Sequence, residues 1–331
     1  MAVPVRAPVV SVIMPVRNAA AFLEAAIDSI LMQTERDFEF LIVDDGSDDA
    51  TPALLARHAA RDPRIRAITR PRQGLVAALN LLLAEARGAL VARMDGDDIA
   101  LPHRLARQVQ ALRDRPDLVL VGSAYAVIDR AGRELRRPPV AADSADIAAR
   151  LRDANCIAHP TVMMWRDAVR PAGGYRAAFR HAEDYDLWLR LAEQHALGAV
   201  DEVLLHYRQH SGQVSVQDVE QRILSELGAA AAARARRAGR GDPAAGLLAD
   251  RNLLRRAGMD AAAIDAAVIG RAMGAAHHAL AAGDRRAARA ALRLALAQRG
   301  LPARTRLHAC LLLLRRPVVD RGEDVRGGFG P

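Results

Sequence analysis

The chain of 331 residues contains no lysine, and all 47 of its basic side chains are arginine. That absence excludes a phosphate loop built on lysine, a lysine Schiff base and a pyridoxal enzyme of the usual kind. Aromatic residues make up only 3% of the chain, so the core must come mainly from Ala, Leu and Val. The two cysteines, Cys156 and Cys310, form no Cys-x-x-Cys pair. Neither a disulfide framework nor a zinc site is therefore expected, which suits a reducing cytoplasm. No apolar run approaches the ~20 residues of a membrane-spanning helix. The first eight residues carry one Arg and two Pro, and no signal-type apolar stretch follows them. A soluble chain is expected.

Hydrophobic residues are 51% and charged residues 26%, enough for a packed core. The net charge of +8 is unevenly spread. Residues 1–220 hold 27 Arg against 30 acidic residues, and residues 221–331 hold 20 Arg against 9. A slightly acidic body of 1–220 and a basic, Ala-rich helical region of 221–331 are thus expected as two parts. A basic region favours phosphate-rich partners, either nucleic acid or an anionic membrane face. With Phe329 its sole aromatic, this one lacks the interleaved rings of a nucleic-acid stacking surface. Residues 321–331 are Gly-rich and expected to be disordered.

The first 125 residues alternate short apolar runs with amphipathic stretches, the pattern of successive βα units. Strands are expected at 9–14, 38–43, 65–69 and 88–94, the first ended by Pro15. Helices are expected after Asn18 and Thr51, each as an N-cap, and over 74–87. Such units build a mostly parallel sheet, with ligands beyond the carboxyl ends of its strands. Two acidic clusters, Asp44-Asp45-Gly46-Ser47 and Asp95-Gly96-Asp97-Asp98, stand at those ends and should share one rim. In the basic region, residues 261–282 and 284–298 read as a helical hairpin around Gly283.

Closely spaced carboxylates with a Gly between them can hold a hard divalent cation. The same tetrapeptide also suits an Asp-rich turn that caps the helix near Pro102. Carboxylates in the first cluster could accept hydrogen bonds from a base or ribose, or simply cap a solvated turn. Neither cluster is a Gly-x-Gly-x-x-Gly fingerprint, so nicotinamide binding is disfavoured. Glu183-Asp184-Tyr185-Asp186 opens a short helix, where acids are favoured by the macrodipole whatever the function. A carboxylate there could equally serve as general base toward a hydroxyl. His159 and His210 suit phosphate contacts or metal ligation, and equally packing or capping. His277 and His278 are adjacent on a helix and point apart, which argues against a metal site there.

Taken in order, eight stretches resemble glycosyltransferase family 2. They are residues 10–18, 29–34, 38–47, 74–80 and 94–98, then His159-Pro160-Thr161-Val162-Met163, residues 182–188 and Tyr207-Arg208-Gln209-His210. The resemblance covers roughly residues 8–215. It implies a glycosyltransferase A fold, an α/β architecture with a Rossmann-like, mostly parallel sheet flanked by helices, here with a C-terminal α-helical extension. It also implies an inverting sugar transfer from a nucleotide-sugar to a glycan or lipid-linked acceptor, as in bacterial cell-envelope polysaccharide biosynthesis. Pro15, Val16 and Asp45 then match the positions that hold the nucleotide base, and Gly74 and Asn80 the stretch beside it. Asp95 and Asp97 match the Asp-x-Asp motif, with Asp97 the direct ligand of Mg²⁺ or Mn²⁺ and Asp95 beside the nucleotide-sugar. Asp184 matches the catalytic base, and Glu183, His159, Arg208 and His210 fall on the acceptor or phosphate side. Arg17 departs from the aromatic residue common at its position. A sugar nucleotidyltransferase would carry a Gly-rich basic loop after the first strand, which residues 15–19 are not. The rival outside enzymology is a nucleotide- or polyanion-binding scaffold with a degenerate transferase body. Location follows as cytoplasmic, with peripheral contact at the inner membrane face through the basic region.

Overall fold

The computed structural model describes residues 7–210, 218–244, 248–281 and 283–314. The Gly-rich end expected to be disordered lies outside them. Two compact units emerge, residues 1–260 and 261–331.

The first unit opens with strictly alternating elements: β1 (Val10–Val16), α1 (Leu23–Leu31), β2 (Phe38–Asp45), α2 (Thr51–Arg61), β3 (Ile65–Arg70), α3 (Leu75–Glu85) and β4 (Leu90–Arg93). There follow β5 (Ile99–Ala100), α4 (Arg104–Asp114), β6 (Leu118–Ile128), β7 (Glu134–Arg136) and α5 (Ser144–Leu151). The unit continues with β8 (Met163–Trp165), α6 (Arg166–Val169), α7 (Glu183–Leu191), β9 (Ala196–Arg208), α8 (Val219–Arg237) and α9 (Arg251–Arg256). All strands join one sheet of order β3-β2-β1-β4-β8-β6-β9-β5, with β7 beside β6. The β3-β2-β1-β4 half is parallel, as the βα pattern requires. β8 enters antiparallel to both β4 and β6, and β6 then runs parallel to β9 from Leu118↔Ala196 to Ile128↔Arg208.

Strands β1 and β2 are buried along their whole length, so they read as continuous apolar runs. Their side chains still alternate between faces. Ile13, Leu41, Val43 and Val91 pack against Leu79 and Leu82 of α3. Val12, Met14, Phe40 and Ile42 pack against Ile27 and Ile30 of α1 and Leu105 and Val109 of α4. The result is helix, sheet and helix in three layers.

Three local expectations are corrected. Pro15 does not end β1: the strand runs on to Val16, past its last rung with β4 at Ile13↔Arg93. The missing proline N–H therefore interrupts no bond on that side. Asn18 caps no helix. It adopts a left-handed φ of 51°, which asparagine tolerates, and its Oδ1 accepts from Asp48 N at 3.0 Å. Thr51 likewise accepts from Ala19 N at 2.9 Å rather than capping α2. Both residues sew the loop after β1 to the loop after β2.

The break in composition at 220 is not a structural boundary, since the first compact unit runs to Asp260. α8 completes the core of the body, where Ala229, Ala230, Ala232 and Ala233 are buried beside Phe179 and Trp188. The second unit contains α10 (Ala261–Ala281), α11 (Arg285–Ala297) and α12 (Ala303–Leu314). α11 buries Ala288, Ala291, Leu292 and Ala295 and exposes Arg286, Arg289 and Arg293. His277 of α10 meets His308 of α12, with the two Nε2 atoms 3.1 Å apart. Among the described residues no helix is long and apolar enough to cross a membrane.

Candidate active site

The acidic turn at residues 95–98 leaves the end of β4, and neighbouring elements hold it from below. Ser29 and Gln33, near the end of α1, fasten the segment that follows it. Ser29 Oγ accepts from Ala100 N at 3.1 Å, Gln33 Nε2 donates to Leu101 O at 2.7 Å, and Gln33 Oε1 accepts from Leu105 N at 2.9 Å. Arg104, wholly buried, donates to Arg93 O at 2.6 Å. Burial pulls its guanidinium down to about 10. Gly96 is dictated by close approach, because a Cβ there would lie 2.7 Å from Val16 Cγ1. The turn is thereby pressed against the loop after β1, next to Pro15 and Val16.

Carboxylate oxygens of Asp95, Asp97 and Asp98 lie within 4.8 Å of one another. Asp98 is 1% exposed; its Oδ1 accepts from Arg208 N at 2.8 Å, while its Oδ2 is buried without a hydrogen-bond partner. Burial and the neighbouring carboxylates push Asp98 well above the usual carboxylate range. Asp97 is raised by burial and by Asp95, and His210 works against the rise from 3.0 Å away. Three oxygens crowded at a cost, one of them orphaned, fit a hard divalent cation. Asp95 and Asp97 would hold it, with Asp98 behind them.

At the carboxyl end of β2, Asp45 is 6% exposed and already engaged. Its Oδ1 accepts from Arg70 and from Gln73 N at 2.9 Å, and its Oδ2 accepts from Gly74 N at 2.7 Å. Gly74 has φ of 94°, a turn conformation that glycine adopts freely. Asp45 therefore shapes the 70–74 loop at the mouth of the site. Asn80 serves a different end from the one expected. Its Nδ2 donates to Tyr175 O at 2.8 Å and its Oδ1 accepts from Tyr175 N at 2.9 Å. The tyrosine hydroxyl in turn meets His159 Nε2 at 2.9 Å. The His159 ring stands edge-on to Trp188 of α7. Burial, with Arg93 nearby, lowers His159 well below its ordinary range, so the imidazole is neutral at pH 7. It braces α7 through Trp188.

Glu183 and Asp184 open α7, whose Tyr185, Leu187, Trp188 and Leu189 are buried in the core and fix the helix axis. Asp184 accepts from Asn155 Nδ2 at 2.9 Å and from Tyr185 N at 2.7 Å. Burial nonetheless outweighs these bonds and raises it to about 6. Glu183 is raised by burial and by Asp184 to about 7. Such carboxylates take a proton readily near neutral pH, the property of a general base.

Arg93, at the end of β4, is 3% exposed and forms an ion pair with Asp95. Its charge also stabilises the ionised forms of Asp97, Glu183 and Asp184, so both acidic clusters share one electrostatic environment. Motif reading passed over Arg93, although a charge inside an apolar strand is itself a signal. Asn155 and Tyr175 carry no pattern around them, and Asp98, though part of the acidic tetrapeptide, is given no role of its own by the motif. Arg208 is a fastener: its Nε donates to Asp97 O at 2.8 Å, and its Nη1 to Asp129 O and Arg130 O at 3.0 Å each. Volume does not mark the site, since a cavity of about 460 Å³ lies elsewhere, between α5 and the start of β9.

Residues 11–173 match the family model for glycosyl transferase family 2. The chain is 35% identical over 209 residues to the O-antigen biosynthesis glycosyltransferase WbnJ of Escherichia coli, covering 61% of this chain and 80% of that one. It is 33% identical over 208 residues to the amylovoran biosynthesis glycosyltransferase AmsE of Erwinia amylovora, covering 62% and 77%. Among solved structures, S. aureus TarS 1–349 in complex with UDP-GlcNAc superposes with a TM-score of 0.57 at 15% identity, over 85% of this chain and 90% of that one. The mannosyltransferase PcManGT of Pyrobaculum calidifontis, in complex with GDP-Man and Mn2+, gives 0.52 at 22% identity, over 93% and 85%. These superpositions establish the glycosyltransferase A fold. With a metal-type acidic turn and a raised carboxylate pair on the rim of that sheet, the chain belongs to glycosyltransferase family 2 and is a glycosyltransferase.

Proposed function

We propose that the enzyme moves a sugar from a nucleotide-sugar donor to a hydroxyl of a glycan or lipid-linked acceptor, with inversion at the anomeric carbon. The observation that carries this reading is the meeting of the Asp95–Asp97 turn and Asp184 around the buried cation Arg93. The donor base lies in the mouth framed by Pro15, Val16, the Asp45-held loop and Gly74, and Asn80 supports it from behind through Tyr175. Asp184 takes the proton of the acceptor hydroxyl as its oxygen attacks the anomeric carbon. The bond from that carbon to the β-phosphate oxygen breaks, and the electron pair leaves with the nucleoside diphosphate. A bound Mg²⁺ or Mn²⁺ at Asp95 and Asp97 would supply positive charge toward the diphosphate. Glu183, raised by burial and by the charge of Asp184 beside it, shares the titration near neutral pH with that base. His159 and Arg208 hold the scaffold, and His210 orients Asp97.

Relatives named for O-antigen and amylovoran biosynthesis support a bacterial cell-envelope polysaccharide as the product class. Exposed Arg286, Arg289 and Arg293 on α11, with Leu307 and Leu311 exposed on α12, support peripheral contact with an anionic membrane at its cytoplasmic face, where lipid-linked acceptors reside. Nucleic acid is disfavoured as a partner, and a scaffold with a degenerate body is disfavoured by the intact acidic residues.

The test incubates purified protein with Mn²⁺ and UDP-, GDP- and dTDP-sugars and measures nucleoside diphosphate release. Slow hydrolysis of one donor is expected, abolished by a chelator and in Asp97→Ala, and cut about 10²–10⁴-fold in Asp184→Ala. Silence with every donor, together with no calorimetric binding of nucleotide or Mn²⁺, would overturn the reading.

A further inference from the structure

The cations around the acidic turn are nearly all engaged. Arg93 is paired with Asp95, Arg70 with Asp45, and Arg208 with three backbone carbonyls. The three carboxylates of the turn carry up to three negative charges. Arg93 and one divalent ion would offset those, leaving the diphosphate of a donor unmatched. Its charge grows by one when the glycosidic bond breaks, so the demand for a cation is greatest as the leaving group departs.

Arg130 stands where that demand arises. It lies in the tight turn between β6 and β7, closed by Asp129, which accepts from Ala131 N at 2.8 Å and Arg133 N at 2.9 Å. One guanidinium, that of Arg208, binds both Arg130 O and Asp97 O. The backbone of Arg130 is therefore held within one guanidinium's span of the acidic turn, and an arginine stem bridges such a gap. The Arg130 side chain is exposed, and its guanidinium rests 5.5 Å from the centre of the Phe22 ring. The same ring touches His210, centroid to centroid at 4.9 Å, and His210 contacts Asp97. A cation resting on a half-buried ring is held more weakly than one in a charge-assisted bond to phosphate.

We infer that Arg130 is a catalytic residue that leaves the Phe22 ring to bind the β-phosphate of the donor and stabilise the departing nucleoside diphosphate. The inference rests on the donor reading above. In the step it serves, the electron pair of the broken bond stays on the β-phosphate oxygen, and Arg130 donates hydrogen bonds to that phosphate without transferring a proton.

Calorimetric titration separates the two ideas. Wild type, Arg130→Ala and Arg130→Lys are titrated in Mn²⁺ with the nucleoside diphosphate of the donor and with its monophosphate. Arg130→Ala should bind the diphosphate about tenfold more weakly and the monophosphate unchanged, with Arg130→Lys in between. Its thermal midpoint should equal that of wild type, because the side chain is exposed. Wild-type affinity for the diphosphate in Arg130→Ala would overturn the inference alone, and so would a parallel loss for the monophosphate, which would mark a role in shaping the pocket. Failure of wild type to bind any nucleoside diphosphate would overturn the donor reading itself.

Discussion

Asp184 shows how one residue trades stability for chemistry. Its folded value of about 6 lies above the ~4 of an unfolded aspartate. The native state therefore binds the proton more tightly than the unfolded chain does. Its favourable contribution is full below about pH 4 and is lost as pH rises through 6. At neutral pH the ionised carboxylate burdens the fold by up to about 3 kcal/mol, less to the extent that the half-buried group is hydrated. Asp184→Asn should accordingly melt at a higher temperature than wild type at pH 8, with the gap closing toward pH 5, while turnover is lost. The wild-type rate should fall on acidification below about pH 7, with apparent values belonging to the Glu183–Asp184 pair. Differential scanning fluorimetry and a pH–rate profile check both limbs. Asp95, Asp97 and Asp184 were legible in the sequence through the ordered resemblance of eight stretches, since acids at turns and helix starts are common without a site. The actual partners of Asn80 and Arg208 were not, since their contacts lie 95 and 111 residues away along the chain.

At the scale of elements, α7 depends on a buried ionic chain. Asp186, wholly buried, accepts from Arg176 and from Arg190 at 2.8 Å. Arg176 continues to Asp242 at 2.7 Å, and Asp242 to Arg236 of α8 at 2.8 Å. Asp186→Ala would remove the buried anion that Arg176 and Arg190 share, leaving them to Asp242 and to the Ala172 and Gly174 carbonyls, at a cost of about 3 kcal/mol in chemical denaturation. Arg107→Ala, whose partner Glu202 is largely in water, should leave the same curve unchanged. The βα half of the sheet was readable because period and strand-end residues agree there. β6 and β9 were not, because they alternate poorly and find their order only through tertiary pairing: β9 bulges twice against β6. Asp186 is an ordinary helix-surface residue type, so nothing local reveals that it is core.

For the whole molecule, compactness rather than composition sets the working unit. A protein ending at residue 260 should keep cooperative unfolding and nucleotide binding. One ending at 218 would lose Ala229–Ala233 and Leu253 from the core and should unfold or aggregate, as circular dichroism and gel filtration would show. The parallel pairing of β6 with β9 has a further consequence, in time rather than space. Each rung closes a loop of about eighty residues, as does each rung of β1 with β4, whereas β1 with β2 and β2 with β3 join neighbours in sequence. β9 also follows every strand of the βα half in the chain, so during synthesis residues 10–93 are available to fold before it docks. That late strand delivers Arg208 and His210 to an acidic turn already in place. A chain emerging from synthesis carries its metal-type carboxylates before the groups that discipline them, so the enzyme reaches its shape first and its competence last.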